Sequence, residues 1–230
     1  MPQLSSQLTA RKLAEACLTE LIWKTANIEI DGISRETVES ILNGVRPPVC
    51  PPRTVTTVIN IDRAFHELFA YCDEPVSWAL ISHYNEILRA ELDHDAGHMR
   101  NYPVAMSGTN WKPELPTYPQ VHKQIDSALA AQSAPERAIT LFAQICRGQW
   151  FGDGNKRTAL LVANHELIHS GYAIMSIGPE KKSEFLTLLL AYYESNNRSE
   201  LAQWLEDNCL TTRTGQPCPQ TTAKRGYLRE

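Results

Sequence analysis

The sequence predicts an all-α fold, a helical bundle carrying one small β-hairpin. Three observations lead there. Apolar residues recur at the 3.6-residue period in one run after another. The runs are separated by capping residues, glycines and prolines rather than by strand-like alternation. One short stretch, Val104 to Pro113, centres on Ser107-Gly108-Thr109-Asn110 and reads as a hairpin turn. The 230 residues are 43% hydrophobic and 21% charged, which suits one compact domain with a small appendage.

Taken in order, the elements follow from their residues. From Leu8 to Ala26, the positions Leu8, Leu13, Ala14, Cys17, Leu18, Leu21 and Ile22 mark one helix. Ser34 stands as the N-cap of a short helix through Val38, Ile41 and Leu42, closed by Asn43-Gly44. Pro47, Pro48, Pro51 and Pro52 remove backbone donors and fix φ, so an extended linker is expected there. It divides an N-terminal helical appendage, residues 1–46, from a core, residues 54–210. Within the core, helices are expected over 54–72, 76–92, 119–132, 135–147, 180–196 and 199–209. Prolines fall at or near the first turn of two of them. Residues 211–230, rich in Thr, Pro, Gly and basic side chains, read as a disordered tail.

Charge and composition narrow the partners. The net charge of −4 implies no general affinity for nucleic acid. No apolar run approaches the ~18 residues of a membrane span. No basic segment followed by an apolar core opens the chain, so no secretory signal is expected. The six cysteines are scattered without a Cys-x-x-Cys pair. A reducing cytoplasm is therefore the expected setting.

The chemistry concentrates between two apolar helices, in Gln149-Trp150-Phe151-Gly152-Asp153-Gly154-Asn155-Lys156-Arg157. Glycines at a helix entrance let backbone N–H groups converge, and the helix N-terminus adds partial positive charge. Lys156 and Arg157 fall in the first turn, where cations oppose the dipole, so an anion in the loop would account for them. Asp153 could then hold a divalent cation against that anion.

This stretch resembles the Fic/Doc family signature, His-x-Phe-x-(Asp/Glu)-Gly-Asn-(Gly/Lys)-Arg. Phe151, Asp153, Gly154, Asn155, Lys156 and Arg157 match it, and Lys156-Arg157-Thr158-Ala159-Leu160 is most similar to the Doc-like branch. The resemblance implies a Fic-type helical bundle that transfers AMP, or in Doc a phosphoryl group, from a nucleotide to a protein hydroxyl. It implies ATP or another nucleotide triphosphate with magnesium as cofactors. Gly152, Asp153, Gly154, Asn155, Lys156 and Arg157 would hold the nucleotide and Asp153 the metal. The catalytic positions are Gln149, Asp153 and Arg157. Gln149 stands where the family has the histidine that acts as general base, and a neutral amide cannot accept a proton near pH 7.

Two further stretches extend the resemblance. Thr25-Ala26-Asn27-Ile28-Glu29-Ile30 is similar to the family's inhibitory (Ser/Thr)-x-x-x-Glu-(Gly/Asn) motif, which makes Thr25 and Glu29 regulatory positions. The arginine that such a glutamate pairs with falls at Leu160, so any inhibition is expected to act differently, with Arg157 the alternative partner. Gly97-His98-Met99-Arg100 resembles the approach to the family's flap. Residues 104–113 would be that flap, on which a protein substrate or binding partner docks by strand addition. His83 reads as a structural histidine. His98 is a conjectural replacement base.

One motif competes. His165-Glu166-Leu167-Ile168-His169 has the zincin spacing, two ligands on one helical face with a glutamate between them. Glu184 and Glu194 are loose candidates for a third ligand. The expected function is a Fic-type nucleotide-dependent transferase with an impaired or non-standard base. The alternatives are an inactive Fic-type module that binds a nucleotide or protein, and, less favoured, a zinc hydrolase. A homo-oligomer is compatible with all three.

Overall fold

The computed structural model describes residues 6–211. Helix α1 (Gln7–Ala16) starts at Ser6, whose hydroxyl accepts the Thr9 N–H. It stops at Cys17, and α2 (Leu18–Glu29) begins immediately. The single helix expected over 8–26 is thus two, because Cys17 takes φ −98°, ψ 9° and breaks the ladder. The break lets α1 pack against the helix at residues 155–169 while α2 packs chiefly on the helix at residues 52–71.

Helix α3 (Arg35–Leu42) has Ser34 as its N-cap, and Gly44, at φ +77°, closes it. Helix α4 (Pro52–Tyr71) has proline in its first turn, where the missing N–H costs nothing. Helices α5 (Trp78–Arg89), α6 (Tyr118–Leu129), α7 (Ala134–Gly148) and α8 (Asn155–His169) follow. A 3-10 turn at Pro179–Lys181 leads into α9 (Lys182–Ser195), and α10 (Ser199–Cys209) ends the helical part. Strand β1 (Ile174–Met175) pairs antiparallel with β2 (Leu210–Thr211), Ile174 opposite Thr211. The remainder of the expected tail lies outside the described residues.

Helix α8 is the hub. Every residue from Arg157 to Ile168 is buried. A helix buried all round must be covered on all sides, and α7, α5, α4, α1, α2 and β1 all pack against it. Leu21, Ile22 and Ala26 of α2 belong to the same core as Phe142 of α7 and Leu160 of α8. The proline linker is therefore no break in packing: the N-terminal helices are part of the core.

The expected hairpin does not form. Residues 101–117 contain no strand, and the β1–β2 ladder is the one β pairing among the described residues. The reason is visible in the side chains. Trp111 stacks on Tyr193 of α9 at 5.2 Å, Thr109 Oγ1 donates to Glu194 at 2.8 Å, and Arg147 lies 4.7 Å over the Trp111 ring. These contacts hold the segment to the helices and leave no alternating face to pair. No described helix is long and apolar enough to cross a membrane.

Candidate functional site

The loop between α7 and α8 is shaped by its own amides. Gln149 caps α7 in the left-handed region at φ 44°, ψ 58°. Its Nε2 donates to the Cys146 carbonyl at 2.5 Å, and its Oε1 accepts from Asn155 Nδ2 at 3.0 Å. Asn155 also donates to the Phe151 carbonyl and accepts the Phe151 N–H. Phe151, buried, stacks on Trp78 of α5 with ring centroids 5.4 Å apart. Gln149, at the position where the resemblance expects a base, is thus a buried amide with both ends of its side chain engaged.

Two glycines permit the close approaches. A Cβ on Gly152 would sit 2.0 Å from the Tyr102 hydroxyl. Gly154 has φ +80°, and a Cβ there would meet the Arg89 side chain at 2.9 Å. Asn85 of α5 anchors the loop from outside, donating to the Asp153 carbonyl and to Thr158 Oγ1 and accepting the Gly97 N–H. Arg100 binds it from the other side, donating to the carbonyls of Gln149, Tyr102 and Glu114.

Three guanidiniums converge on Asp153. Arg89 Nη2 lies 2.7 Å from Oδ2, Arg53 Nη2 3.8 Å from the same oxygen, and Arg157 Nη2 3.9 Å from Oδ1. The Gly154 N–H donates to Oδ1 at 2.5 Å. Arg89 is itself gripped by Asp93, Nε to Oδ2 at 2.5 Å. Burial works against the Arg89 charge, but Asp93 and Asp153 outweigh it and strengthen its protonation. Arg157 is different. Its side chain is 0% exposed, and none of its three guanidinium nitrogens has a hydrogen-bond partner. Burial lowers its pKa, with Glu29 the main opposing influence.

Of the two positions expected to be regulatory, Glu29 falls beside this cluster. Glu29 Oε2 lies 3.7 Å from Arg157 Nη2, so the glutamate finds its partner in Arg157, while Leu160 is buried in the core. Thr25 is buried and its hydroxyl is unpaired. Lys156, expected beside Arg157 as an equal, is half-buried and in no ion pair among the described residues; its charge is felt at Asp31. His98 is exposed, and its Nδ1 bonds the Ala96 carbonyl two residues back. His83 pairs with Glu67 at 3.3 Å on the surface.

The zinc reading is overturned by hydrogen bonding. His165 Nδ1 meets the Tyr84 hydroxyl at 2.7 Å, and Nε2 meets the Glu74 carbonyl at 2.8 Å. A carbonyl can only accept, so Nε2 carries the proton and Nδ1 accepts from Tyr84. Neither nitrogen is left for a metal. His169 Nδ1 meets the Cys72 carbonyl, and Glu166 is ion-paired with Arg137 at 2.7 Å. No group of metal-ligating side chains forms among the described residues, and Glu184 and Glu194 join none.

Sequence reasoning missed Arg53, Arg89, Asp93 and Asn85. A signal was present: Asn85 and Arg89 continue the buried face of α5 below Ile81 at spacings of four, so two polar residues interrupt an apolar stripe. Beside the loop, a cavity of about 280 Å³ opens between residues 111–116, α6 and the end of α7, lined in part by Trp111, Gln124, Arg147 and Trp150.

The fold is thus a helical domain whose central helix is entered through a glycine-turned, arginine-lined loop. Residues 60–167, from within α4 to near the end of α8, match the Fic/DOC family model. Fic-1 from C. elegans superposes with TM-score 0.72 at 20% identity, over 89% of this chain and 67% of that one. A Fic domain containing signaling protein from Bacteroides thetaiotaomicron gives 0.68 at 18%, over 82% and 75%. A Fic family protein from Desulfovibrio desulfuricans gives 0.65 at 15%, over 84% and 62%. At these identities the likeness establishes the fold, and the chain spans about two thirds of the length of such relatives. No protein of curated function matches the sequence.

Proposed function

We propose that the loop at residues 151–157 binds the phosphates of a nucleotide, and that the protein is a Fic-type transferase toward a protein hydroxyl whose base position is impaired. One observation carries the phosphate reading: the fully buried Arg157 guanidinium without a hydrogen bond. Buried charged donors are costly unless paired. Phosphate oxygens are acceptors that fit a planar guanidinium, and the free N–H groups of the α8 N-terminus face the same kind of ligand. Glu29, at 3.7 Å, balances the charge without making the hydrogen bonds. The partner would dock along residues 104–113, where no strand pairing occupies the backbone.

A second reading, a nucleotide- or protein-binding module without turnover, is favoured by one specific contact set. The Gln149 amide is held by Cys146 and Asn155 inside the loop, where it can neither accept a proton nor swing out cheaply. Calorimetry with ATP, GTP, CTP and UTP, followed by incubation with α- and γ-labelled nucleotide and candidate proteins, tests both. Heat lost on Arg157→Ala supports phosphate binding at this loop. Label transferred by the wild type at family-like speed would rule out the binding-only reading; absence of heat with every nucleotide would overturn the first.

A further inference from the structure

We infer that Asp153 is not a magnesium ligand in this chain but the internal counter-ion of three arginines, and that Arg53, Arg89 and Arg157 bind the diphosphate group of a nucleotide without a metal. This rests on the phosphate reading above and specifies how that site works.

The donor set around Asp153 is that of an ion-paired carboxylate. Oδ2 is met by Arg89 at 2.7 Å and Arg53 at 3.8 Å; Oδ1 takes the Gly154 N–H at 2.5 Å and faces Arg157 at 3.9 Å. A divalent cation at these oxygens would lie against three guanidiniums, and like charges at such distances repel strongly in a partly buried site. Magnesium asks for near-octahedral oxygen ligands and several waters, whereas guanidinium and amide N–H groups supply none. Nor is Arg89 free to withdraw. Its side chain is 2% exposed, and Asp93, four residues on in the chain, holds Nε at 2.5 Å. Displacing it from Asp153 would leave a buried guanidinium short of a partner, the costly outcome for a buried pair.

The same arrangement suits a diphosphate directly. Arg157 offers three unpartnered nitrogens, Arg89 offers Nη2, which makes no hydrogen bond of good geometry despite its proximity to Asp153, and Arg53 is 60% exposed and can close from solvent. The charges match as well. Three guanidiniums are balanced by Asp153, Asp93 and Glu29. A diphosphate that displaces Glu29 from Arg157 and loosens Asp153 takes over from those two carboxylates as counter-ion of the same guanidiniums.

The test is calorimetry with ADP and with inorganic pyrophosphate, each in EDTA and in magnesium, on wild type, Arg53→Ala and Asp153→Asn. Arg53 is exposed, so its removal leaves the fold intact. Expected are a wild-type affinity in EDTA within about threefold of that in magnesium, a several-fold loss for Arg53→Ala, and a gain for Asp153→Asn, which removes a competing carboxylate. A metal ligand behaves oppositely. Binding that needs magnesium and is lost in Asp153→Asn overturns the inference while leaving the phosphate reading standing. No binding of any probe in either condition overturns the phosphate reading itself.

Discussion

Gln149 makes two predictions possible at the scale of single residues. Restoring a proton acceptor by Gln149→His should raise labelled transfer by about a hundred- to ten-thousand-fold, the usual contribution of a positioned base. An unchanged rate would locate the chemistry elsewhere, since an imidazole at this cap can still meet Cys146 or Asn155 through one nitrogen. Glu29 is the second case. Its carboxylate approaches Arg157 only to 3.7 Å, with no hydrogen bond, so it is a weak stand-in for a ligand. Glu29→Gln should strengthen nucleotide binding by less than about tenfold, or 1.4 kcal/mol, by calorimetry against the wild type. A larger gain would mean that the glutamate holds the site shut through more than this one contact. The pairing also shows what a motif can and cannot say. The motif singles out Thr25 and Glu29, but the residue that Glu29 meets depends on how α2 crosses α8 and not on any spacing in the chain.

At the scale of elements, the loop is held together chiefly by Asn155. Its side chain closes Phe151 N–H, the Phe151 carbonyl and Gln149 Oε1 at once. Asn155→Ala removes those partners inside a buried loop, which typically costs about 1–3 kcal/mol for the groups left unsatisfied. A urea or thermal melt should show that loss together with weaker nucleotide binding; wild-type stability would mean that water replaces the amide. The helices themselves were largely readable. Ser34, Ser77 and Ser133 each accept an N–H in the first turn, as such residues do before apolar runs. The break at Cys17 was not readable, because no glycine or proline marks it and tertiary packing decides it. The hairpin at 104–113 failed for a related reason. Its turn residues are genuine, with Gly108 at φ +84°, but a turn makes a hairpin only if the flanks alternate, and here Trp111 answers to Tyr193.

For the whole molecule, the burial of α8 carries a pH dependence. Burial lowers the pKa of His165 below the ordinary ~6.5, with Glu74 opposing and His169 reinforcing the shift. The unfolded chain therefore binds a proton that the folded one refuses. The stability contributed by the neutral ring is present above about pH 6.5 and is lost as pH falls toward the folded pKa, at up to about 1.4 kcal/mol per unit for one proton. Unfolding free energies between pH 7.5 and 5 should fall accordingly, and the His165 ring should stay neutral by NMR well below pH 6.5 with its proton on Nε2. A ring that protonates at 6.5 would contradict this. The same histidine shows why a five-residue pattern misled: His165-Glu166-x-x-His169 has ligand spacing, but the bundle spends each polar group on Tyr84, Glu74, Cys72 and Arg137. The fold class and the loop could be read from the chain. The arginines that complete the site could not, since they come from α4 and α5, tens of residues away.

Arg100 ties the segment that follows it to the loop. Its guanidinium fastens the carbonyls of Tyr102 and Glu114 to that of Gln149, so both ends of the intervening stretch are pinned to the loop by one side chain. Nothing in a sheet register constrains what lies between. Such a stretch behaves as an exchangeable cassette. Its length can vary at a small entropic penalty, about 0.6 kcal/mol for each doubling, as long as Trp111 keeps its seat on Tyr193. Segments of other sequence can then be grafted there, with the arginine cluster and the helices beneath it left untouched.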